Sequence, residues 1–155
     1  MRILGLDVGS KTIGVAVSDE LGITAQGAGV LKRQSWTLDL AQVAELIRRY
    51  APQEIVIGFP KNMNGSLGPQ AAAAARFAER LAAVAPGLSI RLWDERLTTV
   101  AAQKALVSAD VSRQKRRKVV DKLAAMLILQ SYLDWRRQAS SEDCSGFLDT
   151  TPGLG

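Results

Sequence analysis

The chain contains no histidine, and this absence excludes several kinds of active site. Serine and cysteine triads that rely on histidine, histidine acid-base pairs and the usual zinc sites are all ruled out. Any hydrolytic chemistry must therefore depend on carboxylates. Carboxylates and water are the ligands that suit magnesium or manganese, so the composition points to a hard divalent cation.

Cysteine and long apolar runs are also scarce. The single cysteine, Cys144, excludes an intrachain disulfide framework and fits a reducing compartment. No apolar run approaches the roughly 20 residues that span a bilayer, and the N-terminus lacks a basic region followed by a long apolar segment. With 155 residues and 47% hydrophobic content, the sequence predicts one cytoplasmic domain with its own core and no membrane partner.

Acidic residues are outnumbered by basic ones, 15 to 20, which gives a formal net charge of +5. Residues 140–155 hold three acids and no lysine or arginine, so the rest of the chain carries +8. Such an excess favours a polyanionic partner, nucleic acid above all. Ordinary solvated surface charge is the alternative.

The N-terminal segment places an acid where packing alone would favour an apolar side chain. Runs of β-forming residues flank the break at residues 9–12, a pattern that predicts two antiparallel strands with Asp7 closing the first. Asp7 either caps the turn or binds a metal or a proton at the end of a buried strand. Gly9 and Gly14 favour binding, because glycine within a strand pattern often marks close approach by a ligand. Lys11 supplies a donor suited to phosphate.

The whole pattern predicts an α/β fold with a five-stranded mixed sheet, three antiparallel strands followed by two parallel ones, and helices on both faces. Beyond the first two strands, we expect strands at 25–32, 54–58 and 89–95 and helices at 36–50, 70–85, about 98–107 and 113–137. In the first of these helices Asp39 is expected to lie away from the packed face. In the second, Val84 is expected to pack.

Further acids accompany Asp7 at the predicted carboxyl ends of the parallel strands. Strand alternation puts Asp94 and Glu95 on opposite faces, so only one easily reaches a shared site, and spacing alone leaves the choice open. Asp121 shares a helical face with Ala124, Ala125, Ile128 and Tyr132, and a salt bridge to a neighbouring basic residue is the alternative to function. The topology brings these acids from distant positions to one edge.

Clustered carboxylates predict a site for divalent cations, because their charges repel unless they are neutralised. Two magnesium ions roughly 3.5 to 4 Å apart can activate a water and stabilise the leaving oxygen in phosphodiester hydrolysis. The basic run at residues 113–118 would hold a nucleic-acid backbone, with a solvated helix face as the alternative. The residues therefore predict a metal-dependent nuclease.

Four segments resemble the YqgF family of RuvX-like Holliday junction resolvases or pre-16S ribosomal RNA nucleases, which have a ribonuclease H-like fold. These segments are 6–16, 58–66, 94–99 and 121–130, and the resemblance spans about Arg2 to Trp135. It implies a catalytic and metal-binding trio of Asp7, Glu95 and Asp121 that holds magnesium, or manganese in its place.

The resemblance leaves RNA and branched DNA open as substrates. We expect RNA, with processing of the 5′ end of pre-16S ribosomal RNA in ribosome biogenesis, because this reaction needs only one active site. We expect substrate binding by Lys11, Lys61, Asn62, Arg96, Thr98, Arg116, Arg117 and Lys118. Holliday junction resolution on branched DNA is the alternative. Symmetric junction cleavage requires a dimer, whereas ribosomal RNA processing is compatible with a monomer or weak homodimer.

The nuclease domain is expected at 1–138, followed by a disordered tail at 139–155. Two other classes of protein are weighed against a nuclease. Residues 7–12 also resemble the first phosphate loop of actin-like ATPases and sugar kinases, although the chain is short for their two domains and has no second Asp-x-Gly phosphate loop. The other is a nucleic-acid-binding module without catalysis, in which the acids only support the fold.

Overall fold

The computed structural model describes residues 2–60, 64–95 and 113–141, with side chains described in the last range for 123–138. It confirms the predicted five-stranded mixed sheet with helices on both faces. The strands are β1 (Ile3–Val8), β2 (Thr12–Ser18), β3 (Ala25–Lys32), β4 (Glu54–Phe59) and β5 (Ser89–Asp94). The helices are α1 (Trp36–Tyr50), α2 (Pro69–Val84) and α3 (Arg113–Ser141).

The strands lie in the order β3-β2-β1-β4-β5. β2 is antiparallel to both β1 and β3, while β4 is parallel to β1 and to β5. As a result β1, β4 and β5 all end at the same edge of the sheet, here called the carboxyl edge. Acids that follow these strands are thereby brought together, as the sequence predicted.

Alternation along β1 divides the core between two faces of the sheet. Leu4 and Leu6 pack with α1 and α2, in a cluster that includes Val43 and Phe77. Ile3 faces the other way and packs with α3, together with residues of β2 and β4. The central strand is therefore covered on both faces, which explains the nearly continuous apolar character of β1 and β4.

Two details of the helices differ from the prediction. The buried stripe of α2 ends at Leu81, and Val84 in its last turn is 55% exposed, so the expectation that Val84 packs was wrong. α3 continues to Ser141, four residues beyond the predicted end. The helix expected at about 98–107, and the expected tail beyond residue 141, lie outside the described residues. No helix in the described part of the chain is both long enough and apolar enough to span a membrane.

Candidate functional site

Asp7 lies at the end of β1, next to the β1–β2 turn and at the carboxyl edge. Asp7 is partly buried and lies opposite Gly14 in the antiparallel pair. The backbone N–H of Gly9 donates to the carbonyl of Thr12 at 2.8 Å, and a Cβ on Gly9 would lie 3.0 Å from that oxygen. The tight turn therefore favours glycine at position 9. Lys11 is exposed near the end of this turn.

Glu95 follows β5 and returns over the sheet to Gly58. A Cβ added to Gly58 would lie 3.0 Å from the Glu95 Oε2 atom, so the carboxylate occupies the space that a side chain would need. The parallel register pairs Leu6 with Ile57, and one further step brings Asp7 beside Gly58. Asp7 and Glu95 are thus carried to the same small region of the sheet by strands far apart in sequence.

The face on which these acids meet is the one covered by α3. The Cβ position of Gly58 is 2.5 Å from Ile128 Cδ1, and that of Gly5 is 2.8 Å from Leu129 Cβ. Strand alternation puts Asp7 on the same face as Gly5, two residues earlier. Glycine in the sheet therefore permits α3 to lie close to the two acids.

The direction of α3 determines the level at which residue 121 lies. Near its C-terminal end the Gln130 amide accepts from the backbone N–H of Ala25, at the edge of the sheet opposite the carboxyl edge. Toward its N-terminus, Ala125 lies against Gly5. Residue 121 is four positions earlier, about 6 Å along the helix axis. Asp7 lies about as far beyond Gly5 along β1. At about position 121, the helix backbone has therefore advanced as far along the direction of β1 as Asp7 has.

The donor set at this edge suits a hard cation. Asp7 and Glu95 offer carboxylate oxygens, and the chain has no histidine to offer nitrogen. Among the described side chains no group of three or more potential ligands is close enough to hold a metal ion. The third acid of the expected trio, Asp121, belongs to the part of α3 whose side chains are not described. Asp7 and Glu95 have the carboxylate oxygens that suit magnesium, and they would supply part of its ligand set.

Arg33 holds the β1–β2 turn from the face opposite α3. Its Nη1 donates to the carbonyl of Gly9 at 3.0 Å, and its backbone N–H donates to the carbonyl of Lys11 at 2.9 Å. Its Nε donates to the carboxylate of Asp39 at 3.1 Å. Asp39 is only 2% exposed and also accepts from the backbone N–H of Gln34. A buried ion pair thus fixes the turn that follows Asp7.

Two groups away from the carboxyl edge have shifted pKa values. Burial raises the pKa of Tyr132, and its hydroxyl donates to Glu54, which adds to the shift. Glu54 also forms an ion pair with Arg91 at 3.3 Å, so its charge is compensated where it is buried. The backbone N–H of Ile23 holds the pKa of Asp19 below its ordinary value. Both interactions serve the fold.

The described residues contain only part of the predicted site. Asp7, Glu95 and Lys11 lie at the carboxyl edge. Asp121, Arg116, Arg117 and Lys118 are helical in α3, and their side chains lie outside the description. Four more predicted substrate-binding residues lie entirely outside the described residues, namely Lys61, Asn62, Arg96 and Thr98. Of the two acids between which alternation could not choose, Glu95 is the one against Gly58.

Sequence reasoning missed the Arg33–Asp39 pair. Helical periodicity predicted that Asp39 would lie away from the packed face, and this was wrong, because Asp39 turns toward Arg33 instead of solvent. Asp39 lies in the first turn of α1, four residues after Ser35, whose side chain accepts from the N–H of Leu38. An acid in the first turn next to an N-cap serine is a recognisable signal, but nothing in the sequence shows that its partner is Arg33.

The comparison with known families agrees with this geometry. The sequence profile of the RuvX family, described as Holliday junction resolvase, matches residues 1–135. The chain belongs to the RuvX family. A protein of Moorella thermoacetica named "Putative pre-16S rRNA nuclease" is 58% identical to this RuvX member over 134 residues, which are 86% of this chain and 95% of that protein.

A second relative and a solved structure extend the comparison. A Bacillus subtilis protein of the same name is 56% identical over 136 residues, covering 86% of this chain and 98% of its own length. Thermus thermophilus RuvC, solved in complex with a Holliday junction substrate, matches 90% of this chain and 98% of its own with a TM-score of 0.60 at 16% identity. The predicted family is confirmed, the structural match confirms the resolvase-like fold, and the names of the relatives agree with the predicted nuclease class.

Proposed function

We propose that this RuvX-family protein is a metal-dependent nuclease that processes the 5′ end of pre-16S ribosomal RNA. The observation that carries the proposal is the meeting of Asp7 and Glu95 beside Gly58 on one face of the sheet. Two carboxylates brought to one place from distant strands form a donor set that suits a hard divalent cation. The names of relatives more than half identical to this chain support RNA as the substrate.

In this proposal Asp7, Glu95 and Asp121 hold magnesium, with manganese as a substitute. Magnesium held by these residues would supply a water of lowered pKa and would offset the charge that develops on the leaving oxygen. The carboxylates fix the ion at the carboxyl edge, and Arg33 keeps the β1–β2 turn beside it in place. With no histidine in the chain, a carboxylate is the natural acceptor for the proton of the attacking water.

The proposed substrate contacts are sequence-independent. Lysine and arginine hold the phosphate backbone, and this contribution to affinity falls with salt. Lys11 extends from the turn that follows Asp7, so it is suited to a phosphate next to the cleaved bond. The remaining proposed contacts are Lys61, Asn62, Arg96, Thr98, Arg116, Arg117 and Lys118. We further propose that residues 1–138 form the catalytic domain, which acts in the cytoplasm as a monomer or weak homodimer.

Branched DNA is the second candidate substrate, because the description of the family names Holliday junction resolvase. The two candidates differ in symmetry. Paired cuts across a junction need two active sites and therefore a dimer, whereas an RNA end needs one.

Cleavage of end-labelled substrates tests the proposal. The panel contains a pre-16S ribosomal RNA 5′ end, an unstructured RNA and a four-way DNA junction, each incubated with magnesium and with EDTA. We expect magnesium-dependent cleavage of the precursor RNA and loss of that cleavage in Asp7→Asn. The variant Asp134→Asn, which changes an exposed acid near the C-terminal end of α3, is the matched control and should cleave normally.

The outcomes separate the candidates. Paired cuts in the junction, with intact RNA, would replace the RNA assignment with junction resolution. Binding of RNA without cleavage under any metal condition would replace the nuclease by a binding module.

A further inference from the structure

A group of basic side chains surrounds the β1–β2 turn and continues onto the face of the sheet opposite the acids. Lys11 lies in the turn, Lys32 ends β3, and Arg80 lies on α2, all three exposed. We call these three residues the basic track. None of the three takes part in the buried ion pairs of the core, Arg33–Asp39 and Arg91–Glu54.

Direct contacts connect Arg80 to the turn. Its guanidinium lies 4.4 Å from the ring centroid of Trp36, at the start of α1. The same ring has the Arg33 guanidinium 5.3 Å from its centroid, and Arg33 in turn donates to the carbonyl of Gly9. A continuous set of contacts therefore runs from α2 through Trp36 and Arg33 to the turn that carries Lys11.

Lys32 extends the track toward the acidic face. It pairs with Thr12 across β2 and β3, and Thr12 immediately follows Lys11 in the chain. Its neighbour Leu31 packs with the core under α1 and α2, so strand alternation puts Lys32 on the face of α3, where Asp7 and Glu95 lie. The three cations thus lead from the acidic face, past the turn, to the opposite face.

The charges of the track are not compensated within the described structure. Among the described residues, Lys11, Lys32 and Arg80 form no ion pair, whereas the buried acid in this region, Asp39, is paired with Arg33. Stacking on Trp36 restrains the Arg80 guanidinium without using up its hydrogen-bond donors. Uncompensated cations in the turn and on both faces beside it, one of them held on a ring, match the repeated charge of a phosphodiester backbone.

We propose that the basic track binds the phosphate backbone of single-stranded RNA on one side of the cleaved bond and carries that strand around the β1–β2 turn toward α2. This inference rests on the proposed nuclease function and adds a second part of the substrate path, separate from the cations expected on α3. The track touches no reacting atom, so it contributes to affinity and leaves the chemical step unchanged.

The test measures binding of a fluorescent, unstructured RNA oligonucleotide by anisotropy, in EDTA to prevent cleavage, over a series of salt concentrations. The variant Lys32→Ala/Arg80→Ala removes both ends of the track and leaves Lys11 in place. The control Arg48→Ala/Arg49→Ala removes the same charge from exposed positions in the last turn of α1, far from the carboxyl edge. Because both double variants lose the same charge, a difference in RNA binding between them reports local contacts and not long-range attraction.

We expect the track variant to bind at least about tenfold more weakly than wild type. The slope of log affinity against log salt should fall in magnitude by about 1.4, because each lost phosphate contact on a single strand contributes about 0.7. The control should keep nearly the wild-type slope. In magnesium, the single-turnover cleavage rate of the track variant at saturating protein should equal that of wild type.

Three results would contradict either the inference about the basic track or the proposed function. If the track variant keeps the slope and affinity of the control, the track is solvated surface and this inference fails, while the proposed function stands. If the saturating cleavage rate also falls, the residues act in catalysis or folding and the inference fails in its stated form. If wild-type protein binds no RNA, the proposed function itself fails.

Discussion

Gly58 shows how a single missing side chain supports the acidic site. A Cβ at this position would meet Ile128 Cδ1 at 2.5 Å and Glu95 Oε2 at 3.0 Å. We expect Gly58→Ala to displace the Glu95 carboxylate and to lower the cleavage rate more than tenfold. It should also lower the free energy of unfolding by about 1–3 kcal/mol, as overpacking usually does. Denaturant unfolding and single-turnover cleavage measure the two effects.

A second substitution separates these two clashes. Ile128→Val removes the Cδ1 atom and leaves Glu95 unchanged, so the double variant Gly58→Ala/Ile128→Val should regain much of the lost stability and little of the lost activity. Recovery of full activity in the double variant would show that the contact with Glu95 has no catalytic consequence. Ile128→Val alone is the control and should cost about 0.5–1.5 kcal/mol.

Arg33 is expected to position the turn that follows Asp7. Arg33→Met removes the donor to Gly9 and leaves the buried Asp39 carboxylate without its cation, which should destabilise the protein by about 3 kcal/mol. At a temperature where the variant is folded, kcat should fall while KM changes little, because loosening the turn displaces Asp7, the proposed metal ligand that precedes it. Arg48→Met breaks an exposed ion pair with Glu45 and should change stability by less than about 1 kcal/mol.

A normal kcat in folded Arg33→Met would reduce Arg33 to a purely structural residue. Nothing in the sequence identified the Arg33–Asp39 pair, because ion pairs between a loop and a helix follow from packing that only the folded chain defines. Asp7 was easier to identify, since an acid at the end of an apolar strand contradicts the local pattern.

At the scale of elements, α3 is held on the sheet by close backbone approach and by polar contacts at its far end. Gly5 lies beneath Ala125 and Leu129, and the Tyr132 hydroxyl donates to Glu54 at the start of β4. Trp93 contacts the Tyr132 ring edge to face and Trp135 lies tilted against it, with centroid distances of 5.5 Å and 5.8 Å. These contacts fix the register of the helix that carries Asp121.

The buried Tyr132 hydroxyl makes the free energy of unfolding depend on pH in the alkaline range. Burial raises the pKa of Tyr132 in the folded protein above its unfolded value of about 10. Above that pH the unfolded chain releases this proton while the folded chain retains it, so the contribution to stability falls as pH rises. Tyr132→Phe should remove this part of the alkaline loss in denaturant unfolding between about pH 9 and 11.

The other tyrosine supplies the control, since the chain has only two. Tyr50→Phe, measured in the same way, controls for the loss of one tyrosine hydroxyl. Equal alkaline slopes in wild type and Tyr132→Phe would show that Tyr132 does not titrate differently in the folded and unfolded states.

The elements themselves were largely predictable because each has a strong local pattern. The bounds of α1 and β3 agree with the predicted 36–50 and 25–32, since a serine N-cap and a change of hydrophobic period mark them. The end of α3 was predicted too early, because no glycine or proline interrupts the sequence between Arg137 and Ser141 and the apolar stripe alone suggested the end. Apolar periodicity indicates which residues of a helix pack, but it does not indicate the residue at which an exposed helix ends.

At the scale of the whole molecule, the sheet order is what makes a site from separate acids. Strand type and direction could be inferred from pattern, and they predicted that acids after β1 and β5 would share an edge. The contact between Glu95 and Gly58 could not be inferred, because it depends on the register between β4 and β5 and on how the chain turns after Asp94. Alternation left Asp94 and Glu95 open, and the family resemblance favoured Glu95, which is the acid found against Gly58.

The same architecture separates charge of opposite sign over short distances. Acids lie beside Gly58 under α3, while Lys11 and Lys32, which form no ion pair with any described residue, lie in and beside the β1–β2 turn. A polyanion is attracted by the basic body of the protein, and in the proposed mechanism a divalent cation held by the acids offsets their repulsion of the cleaved phosphate. Metal is therefore expected to be needed for cleavage, whereas the basic residues bind the RNA backbone without it.

The central claim is that Asp7, Glu95 and Asp121 act as one unit, and single-turnover cleavage of the precursor RNA in magnesium tests it most directly. We expect Asp7→Asn, Glu95→Gln and Asp121→Asn each to lower the rate by more than about a hundredfold. Pairs of these substitutions should be little worse than single ones, because residues that act together are not additive. Asp134→Asn, on the same helix as Asp121, should cleave at the wild-type rate. Wild-type cleavage by any one of the three variants would contradict the account.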